Sequence, residues 1–276
     1  MIVLLNGQFV PEEQARISVF DRGFLYGDSL FEAVRVAQGR LFRWREHWER
    51  FDRGTQLLKI PPVYSSKQLA QFADDLIRRN DATKAVLRIQ LSRGSGARGY
   101  SPKSSHSPTL LMSVHPTQDT SPAKWKVIAS SFRTNPHDQL SRVKTGNKLP
   151  QVLAKAEGDE RGADEALLLS PDGLVAEGTS SNIFWVEDGV VCTPPLNLGI
   201  LPGITRAIVL ELCSKFGIAT RECSCTPEML TQKRGLFLTL TSRGIVEVQQ
   251  FDGVEIQPVA IVETLAKWYE DLLRAG

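Results

Sequence analysis

Short runs of β-branched or alternating apolar residues alternate with helical patterns along the whole of this 276-residue chain. Many neighbouring strand patterns are separated only by short turn signals, such as the Pro-Asp-Gly at 171–173. A purely parallel sheet would need a long crossover between each pair of strands. The pattern therefore predicts an α+β protein built of mixed α/β layers.

Amphipathic segments are predicted to be helices, and short apolar runs are predicted to be strands. The helices are expected over 44–58, 66–79, 149–161, 204–216 and 259–274. The strands are expected over 2–5, 30–36, 41–43, 85–92, 109–114, 125–131, 166–170, 174–177, 182–186, 190–192, 235–240 and 245–248.

A polar stretch divides these elements into two groups. Residues 115–122 read HPTQDTSP and contain no apolar side chain, which is typical of an exposed linker. We expect a small N-terminal α/β domain over 1–116, a linker over 117–122 and a larger domain over 123–276.

Composition excludes several classes of protein. Hydrophobic residues make up 42% and charged residues 23%, and the net charge of +2 does not favour a nucleic-acid or membrane-surface binder. No apolar run is long enough for a membrane helix, and no secretory signal is expected. The four cysteines and four histidines have no metal-ligand spacing, so we predict reduced thiols, no metal site and a cytoplasmic protein.

Two turns carry the residues of a phosphate site, although no nucleotide fingerprint is present. Leu201-Pro-Gly-Ile-Thr-Arg206 opens a predicted helix, whose first N–H groups at Ile204 and Thr205 would favour an anion. Thr241-Ser-Arg-Gly244 is a second hydroxyl-bearing turn after an apolar strand. The alternative to phosphate binding is that Thr205 is an ordinary residue at the start of a helix.

Two further segments carry groups suited to catalysis. In Val175-Ala-Glu-Gly-Thr-Ser-Ser-Asn182, the Glu177 carboxylate ends a short strand and could bind a protonated ring nitrogen, or it could lie in a solvated turn. Lys144 stands between a basic loop and a predicted helix start. A lysine can act as a nucleophile when burial lowers its pKa, and a solvated surface charge is the alternative.

The Gly- and Ser-rich stretch 93–107 is too long for a tight hairpin, and such loops are often functional. It contains Arg93, Arg98 and Tyr100, which could clamp a substrate carboxylate or lie in a solvated loop. His47 and Arg50 lie on one predicted helix. The default interpretation is that both are charges on its solvent-exposed surface.

Taken together, these segments resemble the fold-type-IV (class IV) family of pyridoxal-phosphate (PLP)-dependent aminotransferases, in order and over nearly the whole chain. That family includes branched-chain and D-amino-acid aminotransferases and 4-amino-4-deoxychorismate lyase. The segments that carry the resemblance are Tyr26-Gly-Asp-Ser-Leu-Phe-Glu-Ala-Val-Arg35 (Y-G-D-G-x-[FY]-E-x-x-R, with Ser29 in place of the second Gly), His47-Trp-Glu-Arg50 (H-x-x-R), Lys144-Thr-Gly-Asn147 (K-x-x-N), Glu177-Gly-Thr-Ser-Ser-Asn182 (E-x-x-x-x-N), Leu201-Pro-Gly-Ile-Thr-Arg206 (G-I-T-R) and Thr241.

The resemblance implies a role for each matching residue. Lys144 would carry the cofactor as a Schiff base, Glu177 would contact the pyridine nitrogen, and Leu201 would pack on the ring. The phosphate would be bound by Arg50, Ile204, Thr205 and Thr241.

The resemblance is closest to the lyase branch. The loop from Ser92 to Ser101 matches S-R-G-x-G-x-R-G-Y-S, and the segment from Lys144 to Leu153 matches K-x-x-N-x-L-x-Q-V-L. The implied reaction eliminates pyruvate from 4-amino-4-deoxychorismate and releases 4-aminobenzoate, a step of folate biosynthesis. The alternatives are a class IV aminotransferase for branched-chain or D-amino acids with a 2-oxo acid, and a non-catalytic PLP-binding protein. Substrate contacts are expected from Phe31, Arg98 and Tyr100.

The resemblance also implies architecture and assembly. The expected fold is a two-domain, D-amino-acid-aminotransferase-like structure. Its small N-terminal α/β domain would accompany a larger, C-terminal, β-barrel-like domain with helices that binds PLP. A homodimer is expected, with small-molecule substrates and with neither nucleic acid nor membrane as a partner.

Overall fold

The computed structural model describes residues 1–105, 107–117 and 124–275. The described chain divides into two compact units. The first contains the described residues of 1–118 together with Val143–Asn147, and the second contains the described residues of 119–142 together with Lys148–Ala275. Apart from Thr117, the predicted linker lies outside the described residues, and the predicted domain boundaries stay a prediction.

The first unit is a six-stranded antiparallel sheet with helices, in the strand order β2-β1-β6-β5-β3-β4. Its core includes Leu4, Leu30, Leu76 and Leu87, which are at most 1% exposed. Its elements are β1 (Ile2–Leu5), β2 (Gln8–Pro11), α1 (Arg22–Tyr26), β3 (Ser29–Ala37), β4 (Arg40–Leu41), α2 (Trp44–Leu58), α3 (Ser66–Arg79), β5 (Lys84–Ser92) and β6 (Thr109–Pro116).

Local sequence signals explain where the helices of this unit begin and end. A capping box begins α3, because the Ser65 hydroxyl accepts from the Gln68 N–H while the Gln68 side chain accepts from the Ser65 N–H. The Pro61-Pro62 pair follows α2 and cannot continue a helix. The predicted helices 44–58 and 66–79 are therefore confirmed at both ends.

The second unit is built on a nine-stranded mixed sheet. Strand β7 is parallel to both β8 and β14, whereas β8–β9 and β10–β13 are antiparallel. The prediction of mixed α/β layers is therefore confirmed. The elements are β7 (Trp125–Arg133), α4 (Leu149–Glu160), β8 (Glu165–Leu169), β9 (Val175–Gly178), β10 (Asn182–Glu187), β11 (Val190–Thr193), α5 (Ile204–Lys215), β12 (Thr220–Glu222), α6 (Pro227–Leu230), β13 (Arg234–Leu240), β14 (Gly244–Phe251), β15 (Val254–Glu255) and α7 (Ala260–Ala275).

Large aromatic side chains fill the interior of the second unit. Trp185 is 1% exposed, and the Phe184 and Phe237 rings stack with their centres 4.9 Å apart. They come from the adjacent strands β10 and β13, so this packing fixes β10, the strand that follows the turn after Glu177. Among the described residues, no helix is long and apolar enough to cross a membrane.

Candidate active site

Lys144 lies on a short segment that runs beside strand β3. The Phe31 N–H donates to the Lys144 carbonyl at 2.8 Å, and Leu30 forms an isolated antiparallel bridge with Thr145. These backbone contacts hold the segment without using its side chains. The Lys144 Nζ lies 4.5 Å from the centre of the Phe31 ring. The structure therefore brings together the predicted Schiff-base lysine and a predicted substrate-binding residue.

Arg88 is a candidate site residue that the sequence analysis missed. Its guanidinium carbon lies 4.0 Å from the centre of the same Phe31 ring, and its Nη2 donates to Gln90 Oε1 at 2.7 Å. No carboxylate among the described residues pairs with it, and burial lowers the pKa of Arg88. A half-buried guanidinium without an acidic partner can bind a carboxylate of a ligand through two parallel hydrogen bonds.

The opposite face of β3 carries a buried charge cluster. Glu32 follows Phe31 and so points the other way; its carboxylate accepts from Arg50 Nε at 2.7 Å and contacts His47 Nδ1 at 2.8 Å. Burial opposes ionisation of this carboxyl, but the charge and hydrogen bonds of Arg50, with those of His47, lower the pKa of Glu32 to about 2. The default interpretation of surface charge is wrong for His47 and Arg50, which are 2% and 5% exposed. Phosphate binding by Arg50 stays a prediction.

A second arginine network fixes the Gly- and Ser-rich loop that begins at residue 93. Arg22 and Arg93 each donate from Nε to Asp28 at 2.8 Å. Arg22 also donates to the carbonyls of Gly99 and Tyr100, at 2.8 and 3.0 Å. Arg22 therefore holds the loop backbone at Gly99 and Tyr100, whereas Arg93 fastens the start of the loop to Asp28.

The loop leaves the two predicted substrate contacts at its surface. Arg98 is exposed, and Tyr100 is 86% exposed. The Tyr100 ring makes an edge contact with Tyr26 at 5.5 Å between centres, and the Gly99 N–H donates to the Tyr26 hydroxyl at 3.2 Å. The backbone of this segment is therefore fixed while the Arg98 guanidinium extends outward, and substrate contacts by both residues stay a prediction.

In the second unit, Glu177 is held at the end of β9. The Leu201 N–H donates to Glu177 Oε2 at 2.9 Å, and Asn182 Nδ2 donates to the Leu201 carbonyl at 3.0 Å. A Cβ at Gly203 would collide with Asn182 Oδ1, so a larger residue there would displace the Asn182 amide. The two predicted segments 177–182 and 201–206 are thus brought together by direct hydrogen bonds.

The same segment leads into the N-terminus of α5, which begins at Ile204. Its N-cap residue is Gly203, and no side chain caps the helix. The first N–H groups, at Ile204 and Thr205, are therefore suited to bind an anion of a ligand. Thr205 is 4% exposed, and Thr241 lies partly buried in the turn after β13. Phosphate binding at these residues stays a prediction.

Glu165 is a second residue that sequence analysis missed. It is 2% exposed, and its carboxylate accepts from the Thr179 hydroxyl at 2.5 Å, the Thr179 N–H at 3.1 Å and the Ser181 hydroxyl at 3.0 Å. These bonds fix the turn that follows Glu177. The hydroxyls of the E-x-x-x-x-N segment are therefore used within the protein, at least in part, to position Glu177.

Comparisons with known proteins agree with this arrangement. The family model "Amino-transferase class IV" matches residues 29–251. A "Putative branched-chain-amino-acid aminotransferase" of Methanocaldococcus jannaschii is 36% identical over 98% of this chain and 94% of its own length.

Two solved structures show the same fold. A branched-chain amino acid aminotransferase from T.th., with pyridoxamine 5′-phosphate, has a TM-score of 0.93 at 27% identity, covering 99% of this chain and 94% of its own. The structure named "Putative 4-amino-4-deoxychorismate lyase", from Legionella pneumophila, has a TM-score of 0.88 at 25% identity, covering 95% and 97%.

These matches define a PLP-dependent enzyme with a fold-type-IV structure, so the predicted fold class and cofactor are confirmed. The chain belongs to the class IV aminotransferase family. Its own residues fit the cofactor, because a helix N-terminus that begins at a glycine and has no side-chain cap suits a phosphate, and a fixed carboxylate suits a protonated ring nitrogen.

Proposed function

We propose that this chain is a 4-amino-4-deoxychorismate lyase, which eliminates pyruvate and releases 4-aminobenzoate. The observation that carries the proposal is the half-buried Arg88 guanidinium beside Phe31, with no carboxylate partner among the described residues. Each product retains one carboxylate, so the substrate carries two. The side chains of branched-chain amino acids and of alanine are uncharged, so those substrates offer Arg88 no second carboxylate.

Each residue of the proposed site has a defined task. Lys144 would hold the cofactor covalently, and its amine would move a proton when substrate is bound. Glu177 would keep the pyridine nitrogen protonated, and the cofactor would supply an electron-withdrawing ring next to the carbon that bears the substrate amine. Leu201 would pack on that ring. The phosphate is bound by Arg50, Ile204, Thr205 and Thr241, and the substrate by Phe31, Arg88, Arg98 and Tyr100.

We expect the purified protein to release 4-aminobenzoate and pyruvate in equal amounts from 4-amino-4-deoxychorismate, without a 2-oxo acid. Arg88→Gln should lower kcat/KM about 10- to 150-fold, because a hydrogen bond to a charged group contributes roughly 1.5–3 kcal/mol. Fluorescence of 4-aminobenzoate and a coupled pyruvate assay measure the two products.

The matched control is Arg78→Gln on the exposed surface of α3, which should leave kcat/KM unchanged. Turnover that needs both an amino donor and a 2-oxo acid would contradict the lyase and indicate an aminotransferase.

Aminotransfer is the second candidate function. The relatives at 36% and 30% identity are named as branched-chain and D-alanine aminotransferases, the latter from Staphylococcus epidermidis. Arg88 would then bind the second carboxylate of an acidic amino donor. The same assay, run with amino donors and 2-oxo acids, measures this activity.

We further propose that the protein is a homodimer. The segment around α1 exposes Val19, Phe20 and Phe24 at 67%, 65% and 78%, and clustered exposed apolar side chains favour association. Light scattering should give about twice the chain mass of 30.6 kDa. Phe24→Asp should shift the protein towards monomer, whereas a monomeric wild type would refute the proposal.

The proposed lyase activity would serve folate biosynthesis, and we propose that the protein acts in the cytoplasm.

A further inference from the structure

Ser113 and His115 form a polar pair on strand β6 that neither the predicted roles nor the proposed reaction uses. The Ser113 hydroxyl oxygen lies 2.8 Å from His115 Nε2. Ser113 is only 7% exposed, whereas His115 is exposed. The pair therefore extends from a buried hydroxyl to an imidazole ring that solvent reaches.

The register of the sheet places this pair beside Arg88. Ser113 is the direct cross-strand partner of Arg88, and His115 is that of Val86. Side chains directly opposite each other in an antiparallel sheet lie on one face, with their Cβ atoms about 4.5–5.5 Å apart. On its other side Arg88 pairs with Ala33 of β3. Arg88 therefore stands between two side chains, those of Ser113 and Ala33, that are too short to cover its guanidinium.

The same face of the sheet is positively charged. Alternation along the strands puts Arg35, Lys84 and Arg88 on it together with the polar pair. None of the residues that β3, β5 and β6 place on this face is Asp or Glu. Asp21 accepts from two hydroxyls at the far end of the face, one of them four residues along β5 from Arg88. A carboxylate of a ligand is therefore attracted to the part of the face around Arg88.

The contact between Ser113 and His115 can direct the serine hydroxyl towards a ligand. With its proton on Nε2, the imidazole donates to Ser113 Oγ, and the hydroxyl hydrogen can then donate to another acceptor. A carboxylate next to Arg88 favours this tautomer, because it accepts that hydrogen. A hydrogen bond to a charged acceptor is shorter and stronger than one between neutral groups.

We propose that Ser113 is a specificity-determining residue, whose hydroxyl donates to the substrate carboxylate that Arg88 binds, and that His115 is its positioning residue. This inference rests on the proposed function, because that function assigns a substrate carboxylate to Arg88. A dicarboxylate can place one carboxylate between Arg88 and Ser113 while its other carboxylate is bound elsewhere. The pair therefore favours dicarboxylates as the substrate class.

The test is the affinity of the purified holoenzyme for glutarate, a dicarboxylate without an amine, measured by isothermal titration calorimetry. We expect Ser113→Ala to raise the Kd about 10-fold or more, as the loss of a hydrogen bond to a charged group does. His115→Phe should also raise it, whereas His115→Gln should restore most of the affinity, because its side-chain N–H can donate to Ser113. The matched control is Ser214→Ala on the exposed surface of α5, which should leave the Kd unchanged.

A double variant tests whether Ser113 and Arg88 bind the same carboxylate. If they do, Arg88→Gln combined with Ser113→Ala should raise the Kd by less than the product of the two single effects. Effects that multiply would overturn the inference. It would also be overturned by a wild type that does not bind glutarate, or by an unchanged Kd in Ser113→Ala.

Product release by the wild type tests the proposed function separately. If the wild type releases no 4-aminobenzoate but its affinity for glutarate depends on Ser113, the proposed lyase fails and the carboxylate-binding role of Ser113 stands. If the wild type releases 4-aminobenzoate and Ser113→Ala leaves the Kd unchanged, only this inference fails.

Discussion

Replacing Lys144 by alanine is expected to reduce turnover by about 10⁴-fold or more, since it removes both the covalent attachment and the proton-transferring amine. The variant should lose the visible absorption of covalently held cofactor, and borohydride should no longer fix PLP to the chain. Absorption spectra, mass spectrometry of the reduced protein and a product assay measure these three effects.

The fold should tolerate this change, because the backbone bonds of the segment do not involve the lysine side chain. The Phe31 N–H donates to the Lys144 carbonyl, which alanine retains. The lost contact between the ammonium and the Phe31 ring is worth about 0.5–2 kcal/mol. Lys67→Ala, at an exposed position of α3, is the control and should keep wild-type spectra. A Lys144→Ala variant that retains turnover would refute the assignment.

Element positions were largely predictable from the sequence because their signals are local. Helices α2 and α3 follow from periodicity, from the capping residues at 65 and 68, and from Pro61-Pro62. The elements that were missed are short: β2, α1, β12, α6 and β15 have between two and five residues each. A single helical turn or a short strand contains too few residues to show a period.

The charge clusters could not be predicted from the sequence, because their members are distant along the chain. Arg50 and Glu32 are 18 positions apart, and Arg93 and Asp28 are 65 apart. A sequence identifies the ionisable groups but not which of them the sheet brings into contact. For this reason Arg50 was interpreted by default as surface charge, and Arg93 as a candidate substrate clamp.

The residues of the candidate site also fall into two groups, those that short motifs predicted and those that they did not. Motif spacing predicted Lys144 and Glu177 as candidates, because the family pattern is carried by short contiguous segments. Arg88 and Glu165 lie within β5 and at the start of β8, outside every motif of the family pattern. Alternation along β5 places Arg88 and Gln90 on one face, and two polar residues on one face of a strand were the only available signal.

The largest expected effect on stability comes from Glu32→Gln. This change removes the carboxylate charge from the buried pair with Arg50, and breaking a buried ion pair costs roughly 3–5 kcal/mol. We therefore expect the free energy of unfolding at pH 7 to fall by about that amount in urea titrations. The control is Glu49→Gln, which disrupts an exposed pair with Arg45 and should cost about 1 kcal/mol or less.

The effect of Glu32→Gln should also depend on pH in a defined direction. The pKa of Glu32 is about 2 in the folded chain against an ordinary value of 4.5. A lowered folded-state pKa stabilises the protein above the unfolded value, and this contribution is lost as the pH falls towards the folded value. The difference between wild type and variant should therefore be constant from pH 7 to about 5 and shrink between about 4.5 and 2. A difference that is unchanged at pH 3 would show that the carboxylate charge does not stabilise the fold.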